Sequence, residues 1–361
     1  MYSNRISTAA RYNLLTKDIQ KNEANYMRLT QQLASGKKIT SITDDPIAAV
    51  NIVNTNRQLG QIETFNQNTR MAMEELDTLD DLMELATGYL QQAWDKGLQA
   101  NNGTYGRSSL DALKTEIDEI SKTMVDLANT EFNGNYIFGG ANTKLLPFEI
   151  DEYGNIYYHG TPHDNPDYIR QTEVADGVFE VINTTGDKVF GSYEAYYEAP
   201  SGTKYYAKKD DAGNTEYYDK DGNKYTGDVK DLTFKEDYSG VMGALRLLSN
   251  SIQEAIDAKD AKDPDAETEA YKRMFSTMDM FSNSHNEIVT EQTKFGGVYN
   301  RMEMSESTLE TNNENLTSYL SSLQDVDLAD ATSQWMRAQY SYQASLQVAA
   351  QTMNMSLLNY I

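Results

Sequence analysis

Few residues in this chain have types and spacings that could support chemistry. His159 and His163 lie four positions apart, a spacing that can bind zinc on a helix, but Gly160 and Pro162 between them indicate a turn. No His-Glu-x-x-His metalloprotease motif and no Gly-x-Ser-x-Gly nucleophile elbow occurs. The sequence therefore predicts no catalytic constellation, no metal site and no cofactor, and we expect the protein not to be an enzyme.

An acidic stretch, Asp219 to Asn223, has the start of a calcium-binding loop. Its sixth position is Lys224 where such loops need glycine, and its twelfth is Lys230 where they need glutamate. We interpret it as a hairpin turn. The 25 tyrosines, several of them in pairs, predict cross-strand pairs on a small sheet, although they could also form a sugar-binding surface.

Composition narrows the classes of partner. The chain has 361 residues, with 31 Lys and Arg against 55 Asp and Glu, a formal net charge of −24 and a mean hydropathy of −0.65. So acidic a chain is not expected to coat nucleic acid or an anionic membrane. No run approaches the roughly 18 apolar residues of a membrane helix. Residues 1–13 lack the hydrophobic core of a cleavable signal, and there is no cysteine, which suits cytosolic or signal-independent exported proteins.

The two ends of the chain carry matching apolar stripes at helical spacing. We predict that they pack as an α-helical coiled coil and form an assembly interface. The N-terminal stripe comprises Tyr12, Leu15, Ile19, Tyr26, Leu29 and Leu33, with Asn22 as its polar position. The C-terminal stripe comprises Trp335, Ala338, Tyr342, Leu346, Ala349, Met353, Leu357 and Tyr360.

Further helices follow from caps and periodicity. A first helix is predicted from Arg5 to Ser35, ending at Gly36, and Asp45 with Pro46 marks the start of a second that reaches Ala100, about 80 Å long. A third is predicted over 108–129. Residues 132–237 are rich in tyrosine, glycine and asparagine and predict hairpins, after which helices resume at Tyr238 and again at 265, with a break at 325–330.

The predicted fold class is mainly α with an inserted β domain. We expect a terminal coiled-coil domain from residues 1–36 and 326–361, and a helical rod domain from residues 37–140 and 238–325. Residues 141–237 are expected to form a β-rich, surface-exposed insert.

The motifs at both ends resemble those of the flagellin family. Residues 33–39, with Leu33, Ser35 and Gly36, followed by Asp44, Asp45 and Pro46, resemble its N-terminal signature. Residues 327–330, 342–350 and 356–361 resemble its C-terminal signature. Residues 4–8 and 132–140 are similar to the branch of the family that forms the hook–filament junction.

This resemblance implies an extracellular structural protein of the bacterial flagellum, exported unfolded by the type III route. It implies a homo-oligomeric ring between an adjoining hook-associated junction protein and flagellin, and an export chaperone on the C-terminal helix. The terminal helices would be marginal in a free monomer, because each stripe needs neighbours to cover it.

Three other readings remain open. The chain could be a filament flagellin, or a type III translocator that inserts amphipathic helices into membranes, although its narrow seams and acidic outer faces do not favour lipid. The insert could also be a carbohydrate-binding or enzymatic module on a helical scaffold.

Overall fold

The computed structural model describes residues 8–209 and 215–358. It divides into two compact units, one formed by Met1–Thr64 with Thr308–Ile361 and the other by Phe65–Ser307. Helices flank a β-rich middle region, which confirms the predicted fold class. The three-domain division given above stays a prediction.

The helices in the described part of the chain follow the predicted order, apart from the short helix Gly186–Val189, which was not predicted. They are α1 (Thr8–Ser35), α2 (Pro46–Ala100), α3 (Arg107–Ala128), α4 (Gly186–Val189), α5 (Gly240–Ala261), α6 (Pro264–Gln324) and α7 (Leu328–Leu358).

Aspartates begin three of these helices by accepting hydrogen bonds from free N–H groups of the first turn. Asp45 Oδ1 accepts from the backbone nitrogens of Ile47 and Ala48, both at 3.1 Å, ahead of α2. Asp263 and Asp327 cap α6 and α7 in the same way. The side chain thus supplies the acceptor that the helix itself cannot provide.

The strands of the described residues lie between α3 and α5. They are β1 (Glu131–Phe132), β2 (Asn135–Tyr136), β3 (Phe148–Ile150), β4 (Ile156–Tyr158), β5 (Gln171–Ala175), β6 (Val178–Val181), β7 (Tyr193–Glu198), β8 (Lys204–Lys209), β9 (Thr215–Tyr218) and β10 (Thr233–Tyr238).

The main sheet is antiparallel and centred on β7. Strand β10 pairs with β7 along its whole length, from Thr233 opposite Glu198 to Tyr238 opposite Tyr193. Strands β4 and β8 also pair with β7, β3 pairs with β4, and β9 pairs with β8. The pairs β1–β2 and β5–β6 form separate two-stranded ribbons.

The prediction that a helix resumes at Tyr238 was wrong by two residues. Tyr238 is the last residue of β10, and the backbone ladder continues through hydrogen bonds between Ser192 and Ser239 at 3.2 and 2.9 Å. Gly240, with φ +56°, then turns the chain into α5. Cross-strand pairing therefore takes up the first two residues of the predicted helix.

The unit Phe65–Ser307 has one continuous hydrophobic core. Its helical part includes Leu79, Leu110, Leu248 and Phe281, each buried, from α2, α3, α5 and α6. Aromatic residues of the middle region join the same core; for example, the rings of Phe138 and Phe190 meet edge to face with centroids 4.8 Å apart. The β-rich segment is thus packed onto the helices of its own unit.

Candidate assembly interface

Helices α1 and α7 pack against each other in the terminal unit. The ring of Tyr26 stacks on Tyr342 with centroids 6.0 Å apart and planes 10° apart, and it also contacts Trp335 at 5.8 Å. The Trp335 indole Nε1 donates a 2.9 Å hydrogen bond to Thr30 Oγ1. The structure therefore brings the aromatic residues of the two predicted stripes together.

Most of the predicted stripe residues with described side chains are only partly covered within one chain. Leu29 and Ala338 are buried, Leu346 is exposed, and eight others are half-buried: Tyr12, Leu15, Ile19, Tyr26, Leu33, Trp335, Tyr342 and Ala349. The side chains of Met353 and Leu357, and the whole of Tyr360, lie outside the described residues. A half-covered seam leaves apolar area that further neighbours could bury.

Leu346 departs from the α1–α7 seam, in which it was expected to lie. Its side chain is 44% exposed, whereas Ser345 is half-buried. After Tyr342 the 3–4 alternation of a heptad continues to Ser345 and Ala349, and Leu346 lies about 100° further round the helix. Its place in an interface between subunits stays a prediction.

A second apolar ridge runs along α7 away from its seam with α1. Met336, Tyr340 and Val348 are all exposed, Tyr340 to 70%, and exposed Ala344 continues the four-residue spacing between them. On α1, Leu14 and Met27 are similarly exposed. We call the four exposed α7 residues Met336, Tyr340, Ala344 and Val348 the outer ridge.

The first turns of α2 add to the exposed apolar surface of the terminal unit. Ile47, Val50 and Val53 recur every three residues, and Ile47 is 77% exposed. Contiguous exposed apolar residues of this kind are typical of surfaces that another protein covers.

The segment between α1 and α2 pairs with the segment between α6 and α7. Lys38 N donates to the Gln324 carbonyl at 2.7 Å, and Val326 N donates to the carbonyl of Gly36 at 2.9 Å. Gly36 has φ +70°, which favours glycine at this helix end. Gln32 Nε2 adds a 2.7 Å hydrogen bond to the Lys38 carbonyl. These bonds join the family motif at Leu33, Ser35 and Gly36 to the region just before α7.

Asp44 holds the loop ahead of α2 in place. Its Oδ2 accepts hydrogen bonds from the backbone nitrogens of Thr40 and Ser41 at 3.0 and 2.9 Å. These bonds stabilise the carboxylate and lower the pKa of Asp44 below its usual value. In the motif Asp44, Asp45 and Pro46, the first residue therefore orders the loop, and the second caps the helix that the third begins.

The two histidines that first suggested chemistry contact different partners. His159 Nε2 lies 3.2 Å from Glu149, while His163 Nδ1 lies 2.7 Å from Asp187. Asp219 Oδ1 accepts from the backbone nitrogens of Asp221 and Asn223, which confirms a turn there. Among the described residues, no group of three or more His, Cys, Asp or Glu could hold a metal ion.

No helix in the described ranges combines the length and the apolar character that crossing a bilayer requires.

Sequence reasoning missed the polar residues that join the terminal helices. Thr30, Gln32 and Lys38 are ordinary surface types, and no apolar pattern marks them. Only the pairing of α1 with α7 shows what they contact. The position of Thr30 four residues after Tyr26, on the same helical face, was the one available signal.

Comparison with known proteins matches both ends of the chain to one family. The N-terminal helical region of bacterial flagellin matches residues 6–143, and its C-terminal helical region matches residues 278–361. Together these regions make up more than half of the chain.

Individual relatives include hook-associated proteins and flagellins. Flagellar hook-associated protein 3 of Salmonella typhimurium (strain LT2) is 31% identical over 189 residues, 52% of this chain and 57% of that protein. A flagellin of Clostridium tyrobutyricum is 22% identical over 93% of this chain and 95% of its own length. The alignment thus spans little more than half the length of the hook-associated relative.

A solved structure has the same fold. Hook-associated protein 3 from Legionella pneumophila superimposes with a TM-score of 0.55 at 15% identity, covering 75% of this chain and 98% of that one. With both helical regions of the family present and α1 packed on α7, this chain belongs to the flagellin family of bacterial flagellar structural proteins.

Proposed function

We propose that the protein is a structural adaptor that assembles as a homo-oligomeric ring at the hook–filament junction and templates flagellin polymerisation. It would catalyse no reaction. The name of the Salmonella relative, hook-associated protein 3, supports this place in the flagellum.

The observation that carries the proposal is the outer ridge, together with Ile47, Val50 and Val53 on α2. Each of these side chains is exposed within one chain. Fully burying a side chain of this size contributes about 1.5–3 kcal/mol. Several such side chains per subunit are enough to offset the 4–15 kcal/mol, roughly, that association costs.

The partners follow from the same surface and from the family. An adjoining hook-associated junction protein would cover one side of the ring and flagellin the other. Before assembly, an export chaperone on α7 would shield Tyr340, Leu346 and their neighbours from water. Export through the flagellar type III apparatus would deliver the chain to its extracellular position.

A filament flagellin is the second candidate, because the Clostridium tyrobutyricum flagellin aligns with nearly the whole chain. Deleting the gene separates the two. Loss of a junction protein leaves cells with hooks and with flagellin released into the medium, whereas loss of a sole flagellin leaves hooks and no flagellin at all.

A truncation tests the assembly surface directly. Removing residues 339–361 deletes most of the outer ridge of α7 but none of the unit Phe65–Ser307. We expect the middle region to stay folded by circular dichroism, and electron micrographs to show hooks without the added ring. Normal filaments on hooks supplied with the truncated protein would contradict the proposal.

A further inference from the structure

Two hairpins of the middle region enclose an open cleft of about 770 Å³. One is β3–β4 and the other is β8–β9. Strand β10 occupies one edge of β7, so β4 and β8 must share the other edge: β4 pairs with Tyr193, and β8 with Tyr197 and Glu198. The two hairpins therefore leave the same edge at different points, and the cleft lies between them. Its volume is in the range of small-ligand sites.

Two matching hydrogen-bonded turns lie at the walls of this cleft. Asp151 Oδ1 accepts hydrogen bonds from the backbone nitrogens of Tyr153 and Asn155 at 2.8 and 2.9 Å. The side-chain amide of Asn155 donates to Asp151 Oδ2 at 2.8 Å. The same arrangement recurs on the opposite wall. There Asp219 Oδ1 accepts from the Asn223 backbone nitrogen at 2.7 Å, and Asp219 Oδ2 accepts from the Asn223 side-chain amide at 3.0 Å. A cleft with fixed walls pays little ordering entropy when a ligand binds.

Tyrosine rings form much of the lining. Tyr153 stacks on Tyr206 with centroids 5.6 Å apart, and Tyr157 and Tyr218 also face the cleft. The ammonium of Lys220 lies 4.2 Å from the centre of the Tyr157 ring. Such rings offer both an apolar face for stacking and a hydroxyl for hydrogen bonding.

Both lysines of the cleft are already paired with carboxylates. Lys208 Nζ contacts both carboxylate oxygens of Glu152 at 2.9 Å. Lys220 lies 3.4 Å from Glu194, whose carboxylate also accepts from the Tyr206 hydroxyl at 2.6 Å. An anionic ligand would have to break these pairs to reach the lysines, whereas a neutral polyhydroxylated ligand can use their remaining donor and acceptor positions.

We propose that this cleft binds a neutral oligosaccharide. The apolar C–H face of a pyranose ring packs against the Tyr157 ring beside the Lys220 ammonium, and its hydroxyls exchange hydrogen bonds with Lys220 and the neighbouring carboxylates. The site lies in the unit Phe65–Ser307 and uses none of the terminal-helix surface, so it goes beyond the junction role and does not depend on it.

The test is a titration of the full chain with cellotetraose, maltotetraose and chitotetraose, followed by calorimetry and NMR. At least one is expected to bind saturably, and Tyr157→Ala to weaken that binding about tenfold, a loss of ~1.4 kcal/mol. Tyr157→Phe keeps the ring and should bind within about threefold of wild type. Tyr225→Ala, which removes a tyrosine outside the cleft lining, is the matched control and should bind normally.

Lys220→Ala provides a second readout that leaves the sheet intact, because Lys220 is exposed and lies beyond the end of β9. It should weaken binding roughly threefold to tenfold through one lost hydrogen bond. Absence of saturable binding by all three sugars up to about 10 mM, or unchanged binding in Tyr157→Ala, would overturn the proposal. Saturable binding of unstructured peptides in place of the sugars would overturn it too.

Discussion

The indole of Trp335 donates a 2.9 Å hydrogen bond to the hydroxyl of Thr30, joining α7 to α1 across 305 positions of sequence. Thr30 in turn donates to the Tyr26 carbonyl one turn earlier, at 2.8 Å. Tyr26 itself contacts the Trp335 ring. One hydroxyl therefore links the polar and the aromatic contacts of the terminal seam.

Trp335→Phe should loosen this seam, because it removes the hydrogen bond to Thr30 and part of the ring contact with Tyr26. The lost hydrogen bond should cost about 0.5–1.5 kcal/mol, towards the lower end because Trp335 is half-buried. Hydrogen exchange at the amides of residues 26–30 measures the effect, and a double-mutant cycle with Thr30→Val isolates the pair. Met336→Ala, on the exposed side of α7, is the control. If the cycle gave no coupling energy, the hydrogen bond would have no role in holding α1 to α7.

Leu346→Asp should block assembly while leaving the monomer folded. Because Leu346 is 44% exposed within one chain, a charge there meets water in the monomer and an apolar neighbour only in the assembled ring. We expect an unchanged circular dichroism spectrum, and no ring on isolated hooks by electron microscopy. Leu346→Met keeps the apolar surface and should assemble normally. Assembly of Leu346→Asp at the wild-type level would remove this residue from the interface.

Asp45→Ala should weaken the start of α2 by about 1 kcal/mol, since the amides of Ile47 and Ala48 lose their acceptor. The measurement is hydrogen exchange of those amides. Asp45→Ser retains an oxygen acceptor and should recover most of the protection. Equal exchange in the alanine and serine variants would show that the cap is not what stabilises this turn.

Glu291 should make the stability of the unit Phe65–Ser307 depend on pH. Its carboxylate, on α6, accepts from Thr184 and Lys188 at 3.2 and 2.5 Å. Burial opposes ionisation, but the hydrogen bond from Lys188 and the charge of Lys294 outweigh it, so the pKa of Glu291 lies below its usual 4.5. The stabilisation is complete above that ordinary value and is lost as pH falls through the lower pKa of the folded state.

Glu291→Gln should therefore destabilise this unit by about 1–3 kcal/mol near neutral pH, because Lys188 and Lys294 lose a buried ionic partner. Urea unfolding at about pH 7 and about pH 3 should show the difference from wild type narrowing in acid. Glu287→Gln changes an exposed carboxylate on the same helix and serves as the control. A difference that stayed constant over this pH range would rule out the ionised carboxylate as the source of the stabilisation.

Local sequence determined where many of the helices begin and end. Asp45 followed by Pro46 predicts the start of α2 at Pro46, and the periodic stretch that follows predicts its end at Ala100, as the structure has it. The turn at Asp219 to Asn223 was also predictable, whereas the predicted break at 325–330 was too long, because Asp327 caps α7 and the helix begins at Leu328. Caps, turns and helical spacing act between residues close together in the chain, so their energetics can be read from a short window.

Contacts between distant residues were decided only by the tertiary structure. Nothing near Thr233 shows that β10 pairs with β7 and leaves β4 and β8 to share the other edge, the arrangement that creates the cleft. The sequence does not distinguish Glu291 from the other glutamates, because its partners Thr184 and Lys188 come from a distant part of the chain. Apolar spacing predicts that Leu346 lies in the seam, but in the structure Ser345 is half-buried and Leu346 is exposed. The physical reason is that burial and ion pairing depend on which surface arrives from elsewhere in the chain, whereas caps and periodicity do not.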